Sequence, residues 1–236
     1  MSTIPSRIEN IKDVLDNINN QTLKPNKIFL NIPYEYKRFS NQKINDEDLK
    51  KIEIENLIIR RCEDYGPGTK IMGSINEIRN FDCVILLDDD HLYDKNICEL
   101  FLNEFQKKQI NYSFYLNKIF NIKMGQCADG FLMNTKLLDK IESFYEKYVK
   151  NNKNMFLDDD LWLAIYLQKE KKSSIKNLIY LYREKFGKHV IYTQNSNSKK
   201  DGLHLTAHKD GLFLNRRKIQ KIEYIKYLIK SLFIKI

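Results

Sequence analysis

Residues Cys83–Leu87 form an unbroken apolar run that stops at three consecutive aspartates, Asp88, Asp89 and Asp90. An apolar run of this length reads as a strand buried on both faces, the type found in parallel sheets. Carboxylates side by side at its end repel one another unless water or a cation offsets the charge. A fold for this chain must therefore bury the run and keep the space beyond its carboxyl end polar. A second triplet, Asp158-Asp159-Asp160, heads the segment "DDDLWLAIYLQKE", whose spacing is helical.

The rest of the chain sets those triplets in an α/β frame. Ser6–Gln21 has apolar Ile8, Ile11, Val14, Leu15 and Ile18 at helical spacing, with Ser6 and Glu9 in capping-box positions. "KIFLNIP" (27–33) and "LIIRRC" (57–62) read as strands, residues 34–50 as a loop, and "IMGSINEIRN" (71–80) as a helix. Residues 97–108 read as a helix, 110–116 as a strand and 135–149 as a helix. Strands alternating with helices predict a mostly parallel central sheet flanked by helices. Ligands of such sheets bind at the carboxyl ends of strands, where the first triplet falls. Two units are expected: a body over 1–215 and a basic amphipathic C-terminal helix over 216–236.

Charge narrows the partners. The net charge is +9, but residues 216–236 hold seven Lys/Arg against one Glu. The body is nearly balanced, and lysine far outnumbers arginine, which argues against a nucleic-acid reader. Cys62, Cys83, Cys98 and Cys127 have no CxxC spacing and read as free thiols in a reducing compartment. No leader and no long uncharged apolar run is apparent, so a cytoplasmic or membrane-peripheral location is expected. In the tail, Ile222, Ile225, Ile229, Leu232, Phe233 and Ile236 share one helical face, mostly flanked by lysines. That stripe either lies in an anionic membrane surface or packs on the body or a second subunit.

Clustered carboxylates at a strand end suit a hard divalent cation, Mg²⁺ or Mn²⁺. On extended backbone Asp88 and Asp90 share a face and Asp89 points elsewhere. The second triplet offers helix capping and also a general base for an acceptor hydroxyl. "HLTAH" (204–208) lacks the glutamate of a zinc helix, which leaves His204 or His208 as a supplementary ligand. "YGPGTK" (65–70) lacks Walker spacing, yet it ends in Lys70 and could approach a phosphate.

Together these motifs, in this order, resemble the nucleotide-sugar glycosyltransferases of the GT-A fold, which is Rossmann-like. Chlorovirus capsid-type and bacterial members are among the likenesses. The resemblance rests on "TIPSR" (3–7), "EDYGPGTK" (63–70), "LLDDD" (86–90) as a DxD metal motif, "GQCADGFLMN" (125–134) and "FLDDDLW" (156–162). It implies a donor site of Thr3, Pro5, Arg7, Asp64, Tyr65, Lys70, Asp88, Asp89 and Gly130. It implies Mn²⁺ or Mg²⁺ on Asp90 and Asp88, with His204 or His208 as the C-terminal metal histidine. It further implies that Asp160, with Asp159 second, takes the acceptor's proton in an inverting transfer to a glycan or glycoconjugate. Two departures stand out: the first strand is nearly missing before Thr3, and Asp159 replaces the usual glutamate. The alternatives are a metal-dependent nucleotidyltransferase and a non-enzymatic basic binding protein.

Overall fold

A computed structural model describes residues 1–39, 41–179, 192–194 and 215–233. The strands are β1 (Ile28–Pro33), β2 (Leu57–Cys62), β3 (Cys83–Leu86), β4 (His91–Tyr93), β5 (Asn111–Ser113), β6 (Leu116–Ile119), β7 (Ile122–Gly125), β8 (Phe131–Asn134), β9 (Ile175–Asn177) and β10 (Tyr192–Gln194). The helices are α1 (Ile11–Asn19), α2 (Asp46–Lys50), α3 (Thr69–Met72), α4 (Ile75–Ile78), α5 (Ile97–Lys107), α6 (Ile141–Phe144), α7 (Lys153–Phe156), α8 (Asp159–Ile165) and α9 (Arg216–Phe233). The helical turn widens to π geometry after α6 (Tyr145–Val149) and after α8 (Tyr166–Glu170).

The fold is mixed α/β with a C-terminal helix, and its strand pairing corrects the expected parallel sheet. β1 pairs with β2, and β5 with β9, in parallel. β3–β8, β5–β8, β6–β7 and β4–β10 are antiparallel. The apolar run at Cys83–Leu87 meets hydrophobic clusters on both faces, with Leu86 and Leu87 buried and Cys83, Val84 and Ile85 half-buried. Such a run reports two buried faces and carries no information on the direction of its partner.

Side-chain alternation explains the layering. Along β3 and β8, Val84, Leu86, Phe131 and Met133 face a core built with α3, α4, α6 and α8. Ile85, Leu87 and Leu132 face the opposite core, built with α1 and α5. β1 alternates likewise, with Phe29 on the first side and Ile28, Leu30 and Ile32 on the second. Helices thus cover both faces of the strands, giving three layers. Trp162, Leu163 and Ile165 of α8 are fully buried, each worth roughly 1.5–3 kcal/mol of transfer free energy or more.

The strands do not close into one sheet. One edge of β1 carries β2; the other meets Met1 and Ser2, through Asn31 N–H to Met1 O at 3.0 Å and a parallel bridge from Ser2 to Asn31. Past that point β1 and β3 flank a cavity of about 180 Å³ lined by Ile28, Phe29, Val84, Ile85 and Leu132.

Two local expectations also shift. The first helix begins as a 3₁₀ turn over Pro5–Asn10, with Pro5 in its first turn, where a missing N–H costs nothing. Ser6 is therefore no cap, and its hydroxyl is buried without a hydrogen bond. The segment at 71–80 breaks into α3 and α4 at Gly73-Ser74. A side chain at Gly73 would meet Asn31 Cβ at 2.7 Å and Cys62 Sγ at 2.8 Å.

Candidate active site

The two aspartate triplets converge. The first leaves the carboxyl end of β3 and the second opens α8, and Lys70 spans them. Its ammonium pairs with Asp88 and lies 3.1 Å from Asp159 Oδ2. Burial works against that charge, but Asp159 and Asp88 outweigh it and hold the Lys70 pKa well above its ordinary value. Lys70 is placed by α3, whose start is fixed by Asn31: its side-chain amide donates to the carbonyls of Thr69 (3.0 Å) and Lys70 (3.2 Å).

Within the first triplet the roles divide. Asp89 turns inward, accepting from Thr3 Oγ1 at 2.7 Å and Arg7 Nη1 at 2.5 Å. Burial raises its pKa, opposed by Arg7. Asp88 and Asp90 gather with His91, their ligand atoms within 4.8 Å of one another. Asp90 Oδ1 lies 2.5 Å from His91 Nδ1, and Asp90 Oδ2 lies 3.2 Å from Arg7. Burial opposes the charged form of Asp90, but the His91 contact and Arg7 prevail and lower its pKa. The β3 end is tied further by Tyr93, whose hydroxyl accepts from Asp88 N at 2.8 Å and donates to Ala128 O at 3.1 Å.

The second triplet divides as well. Asp158 caps α8, accepting from Leu161 N at 3.2 Å, and also accepts from Arg216 Nη2 at 3.2 Å and Gln220 Nε2 at 2.6 Å. Asp159 faces Lys70. Asp160 accepts from Cys127 N at 3.0 Å and keeps 16% of its side chain exposed. Burial, then Asp159 and Asp158, push its pKa up to about 8, against Arg216 and the Cys127 amide.

The charge balance fits a cation. With Asp160 mostly protonated at neutral pH, the other five aspartates face three permanent cations, Arg7, Lys70 and Arg216. Two carboxylates and an imidazole could hold a divalent ion. Cys127, Asp159 and Asp160 form a second possible group. Burial and Asp159 raise the Cys127 thiol well above its ordinary pKa, which keeps it neutral and a poor ligand.

Thr3 and Arg7 reach the site by holding Asp89, and Pro5 starts the turn that aims Arg7. Asp64 accepts from Lys37 N and Gly66 N, each at 2.7 Å, so its carboxylate shapes the loop. Tyr65 packs edge-on against Tyr145 at 5.2 Å. Gly130 has φ +89°, and a side chain there would meet the Phe101 ring at 2.9 Å. His204 and His208 lie outside the described residues.

The glycines of "YGPGTK" have a packing reason. A Cβ at Gly66 (φ +62°) would meet Phe156 O at 2.6 Å, and one at Gly68 would meet Trp162 Cζ2 at 2.7 Å. Gly68→Ala is therefore expected to cost roughly 1–3 kcal/mol. Its thermal midpoint should fall by roughly 2–12 °C, at 2–4 °C per kcal/mol. An unchanged midpoint would show that Trp162 gives way freely.

Sequence reasoning missed His91, Cys127 and Arg216. The position of His91 directly after the triplet was an available signal. Cys127 and Arg216 reach the site only through tertiary contacts, so no spacing announces them. Comparison with protein-family models and with curated proteins finds no match to this chain.

Proposed function

We propose that this chain is a divalent-cation-dependent glycosyltransferase of GT-A-like architecture, acting on a nucleoside-diphosphate sugar. One observation carries the reading: a strand-end carboxylate set and a helix-start carboxylate set meet across a single lysine. The three-layer arrangement, with helices on both faces of the strands and the first set just beyond β3, is compatible with it.

Asp90 and Asp88, with His91 beside them, would hold Mn²⁺ or Mg²⁺. When bound, such an ion neutralises charge on a departing nucleoside diphosphate. Lys70 adds positive charge beside the same carboxylates. Thr3 and Arg7 lock Asp89 and so fix the triplet's backbone.

On the other side, Asp160 is the base. Its Oδ1 is oriented by Cys127 N–H, and its partial exposure leaves room for an acceptor hydroxyl. A pKa near 8 makes it a competent proton acceptor at mildly alkaline pH. The acceptor oxygen bonds to the anomeric carbon, the carbon–phosphate oxygen bond breaks, and the hydroxyl proton passes to Asp160. Asp158 is committed to Arg216, Gln220 and the helix cap.

Incubation with a panel of nucleotide sugars and Mn²⁺ tests the reading. The expected product is a nucleoside diphosphate, released faster with acceptor. Release of pyrophosphate from a nucleoside triphosphate would instead identify a nucleotidyltransferase. Absence of binding and of turnover with every donor would contradict the proposal.

A further inference from the structure

Helix α9 docks on the body by a polar and aromatic face. Tyr224 and Tyr227 are buried against the core that contains Phe144, and Gln220 reaches Asp158. Glu223 is buried and accepts from Asn152 Nδ2 at 2.6 Å and Asn154 Nδ2 at 3.0 Å. At 100° per residue, Ile222, Ile225, Ile229 and Leu232 lie on the opposite side of the helix, with Leu228 at the border of the docked face. All five are exposed, Leu232 by 67%. The stripe therefore does not pack on the described body. Phe233's side chain and Ile236 lie outside the described residues.

The exposed surface has an outlying member and a defined charge. Phe120 turns the β6–β7 hairpin with φ +49° and is 51% exposed. Its ring lies 6.1 Å from Tyr224, with Lys221 Nζ 5.9 Å from its centre. Arg217, Lys218 and Lys221 are exposed at the N-terminal end of the stripe, and Lys118 and Lys123 are exposed on the hairpin. The helix's one carboxylate, Glu223, is on the docked side. Apolar side chains bordered by cations, with no carboxylate on the outer face of the helix, complement an anionic bilayer surface. No described helix is long and apolar enough to cross a membrane.

We infer that the outer face of α9, together with Phe120, seats the protein on an anionic lipid bilayer, with α9 lying in the interface plane. The inference stands on the helix face and does not require the sugar-transfer reading. If both hold, lipid on that face lies about one helix diameter, roughly 10–12 Å, from the side of α9 that carries Arg216 and Gln220. An acceptor presented at the membrane surface would then be within reach.

Co-sedimentation of the full chain with phosphatidylserine-containing vesicles tests it, with neutral phosphatidylcholine vesicles for comparison. The parent should bind the anionic vesicles, and added salt should weaken binding. Ile225→Glu/Ile229→Glu should abolish it with an unchanged thermal midpoint, since both positions are exposed. Lys218→Glu/Lys221→Glu should weaken binding roughly 25-fold or more, at about five-fold per basic side chain lost. Absence of vesicle binding by the parent would overturn the inference, as would binding unaffected by both variants. It would also be overturned if the parent were a dimer that Ile225→Glu/Ile229→Glu dissociates and failed to bind vesicles; the face would then join two copies.

Discussion

Asp90→Asn is expected to remove the cation-dependent part of donor binding while leaving the fold intact. The substitution keeps shape and deletes the charge that Arg7 and His91 hold in place. With Mn²⁺ and a donor at about 100 times its Kd, the parent should gain about 2.7 kcal/mol, or roughly 5–11 °C in thermal midpoint. The variant should gain almost none of this. Its own midpoint without ligands should fall modestly, because Arg7 and His91 favour the charged form of Asp90 in the folded state and the amide forgoes that. A variant that is stabilised as much as the parent would disprove the cation assignment.

Asp160→Asn is expected to lower kcat roughly 10²–10⁴-fold with donor affinity little changed. An amide keeps the hydrogen bond from Cys127 N–H but takes no proton from an acceptor. In the parent, turnover should rise with pH toward the Asp160 pKa of about 8 and level off above it. The same residue makes a stability prediction of defined sign. Its folded pKa lies above an unfolded value near 3.9, so between them the folded state holds the extra proton. Stability therefore falls as pH rises from about 4 to about 8 and stays lower above that. Asp160→Asn escapes this loss and should melt above the parent at pH 9, with the difference shrinking as pH falls toward 4. Retained turnover would move the base to Asp159, since Asp158 is engaged by Arg216 and Gln220.

How far the sequence reached depended on whether each feature is local. The strand at Leu57–Cys62 matches its expected bounds, because its limits are set by neighbouring polar and turn residues. The grouping of Asp88 with Asp90 apart from Asp89 matches the expectation, but its cause differs: Asp89 and Asp90 lie in a turn beyond β3, where strand alternation does not apply, and Arg7 reaches both. The helix after Asp158 was legible from its capping aspartate and apolar period. Its π turn was not, since one added residue in a turn hardly disturbs an apolar pattern. Antiparallel pairing of β3 was hidden because burial on both faces looks alike in either direction. The glycines at 66 and 68 looked suited to a phosphate, and the structure sets them against Phe156 and Trp162. The stripe of α9 was visible from its spacing. Which face docks was not, because Tyr224, Tyr227, Gln220 and Glu223 outcompete isoleucines by finding specific aromatic and hydrogen-bonding partners.

The central claim is that the carboxylates at the end of β3 form a divalent-cation site serving a nucleoside diphosphate. Mn²⁺ titration followed by electron paramagnetic resonance measures this directly, because bound ion loses the sharp signal of free ion. One Mn²⁺ per chain is expected to bind, held more tightly when a nucleoside diphosphate is added. Binding should weaken as pH falls, since the His91 pKa is raised (burial lowers it, but Asp90 outweighs that) and a proton there competes with the ion. Asp90→Asn should leave the free-ion signal intact. A parent protein that leaves that signal unchanged, with and without diphosphate, would contradict the account.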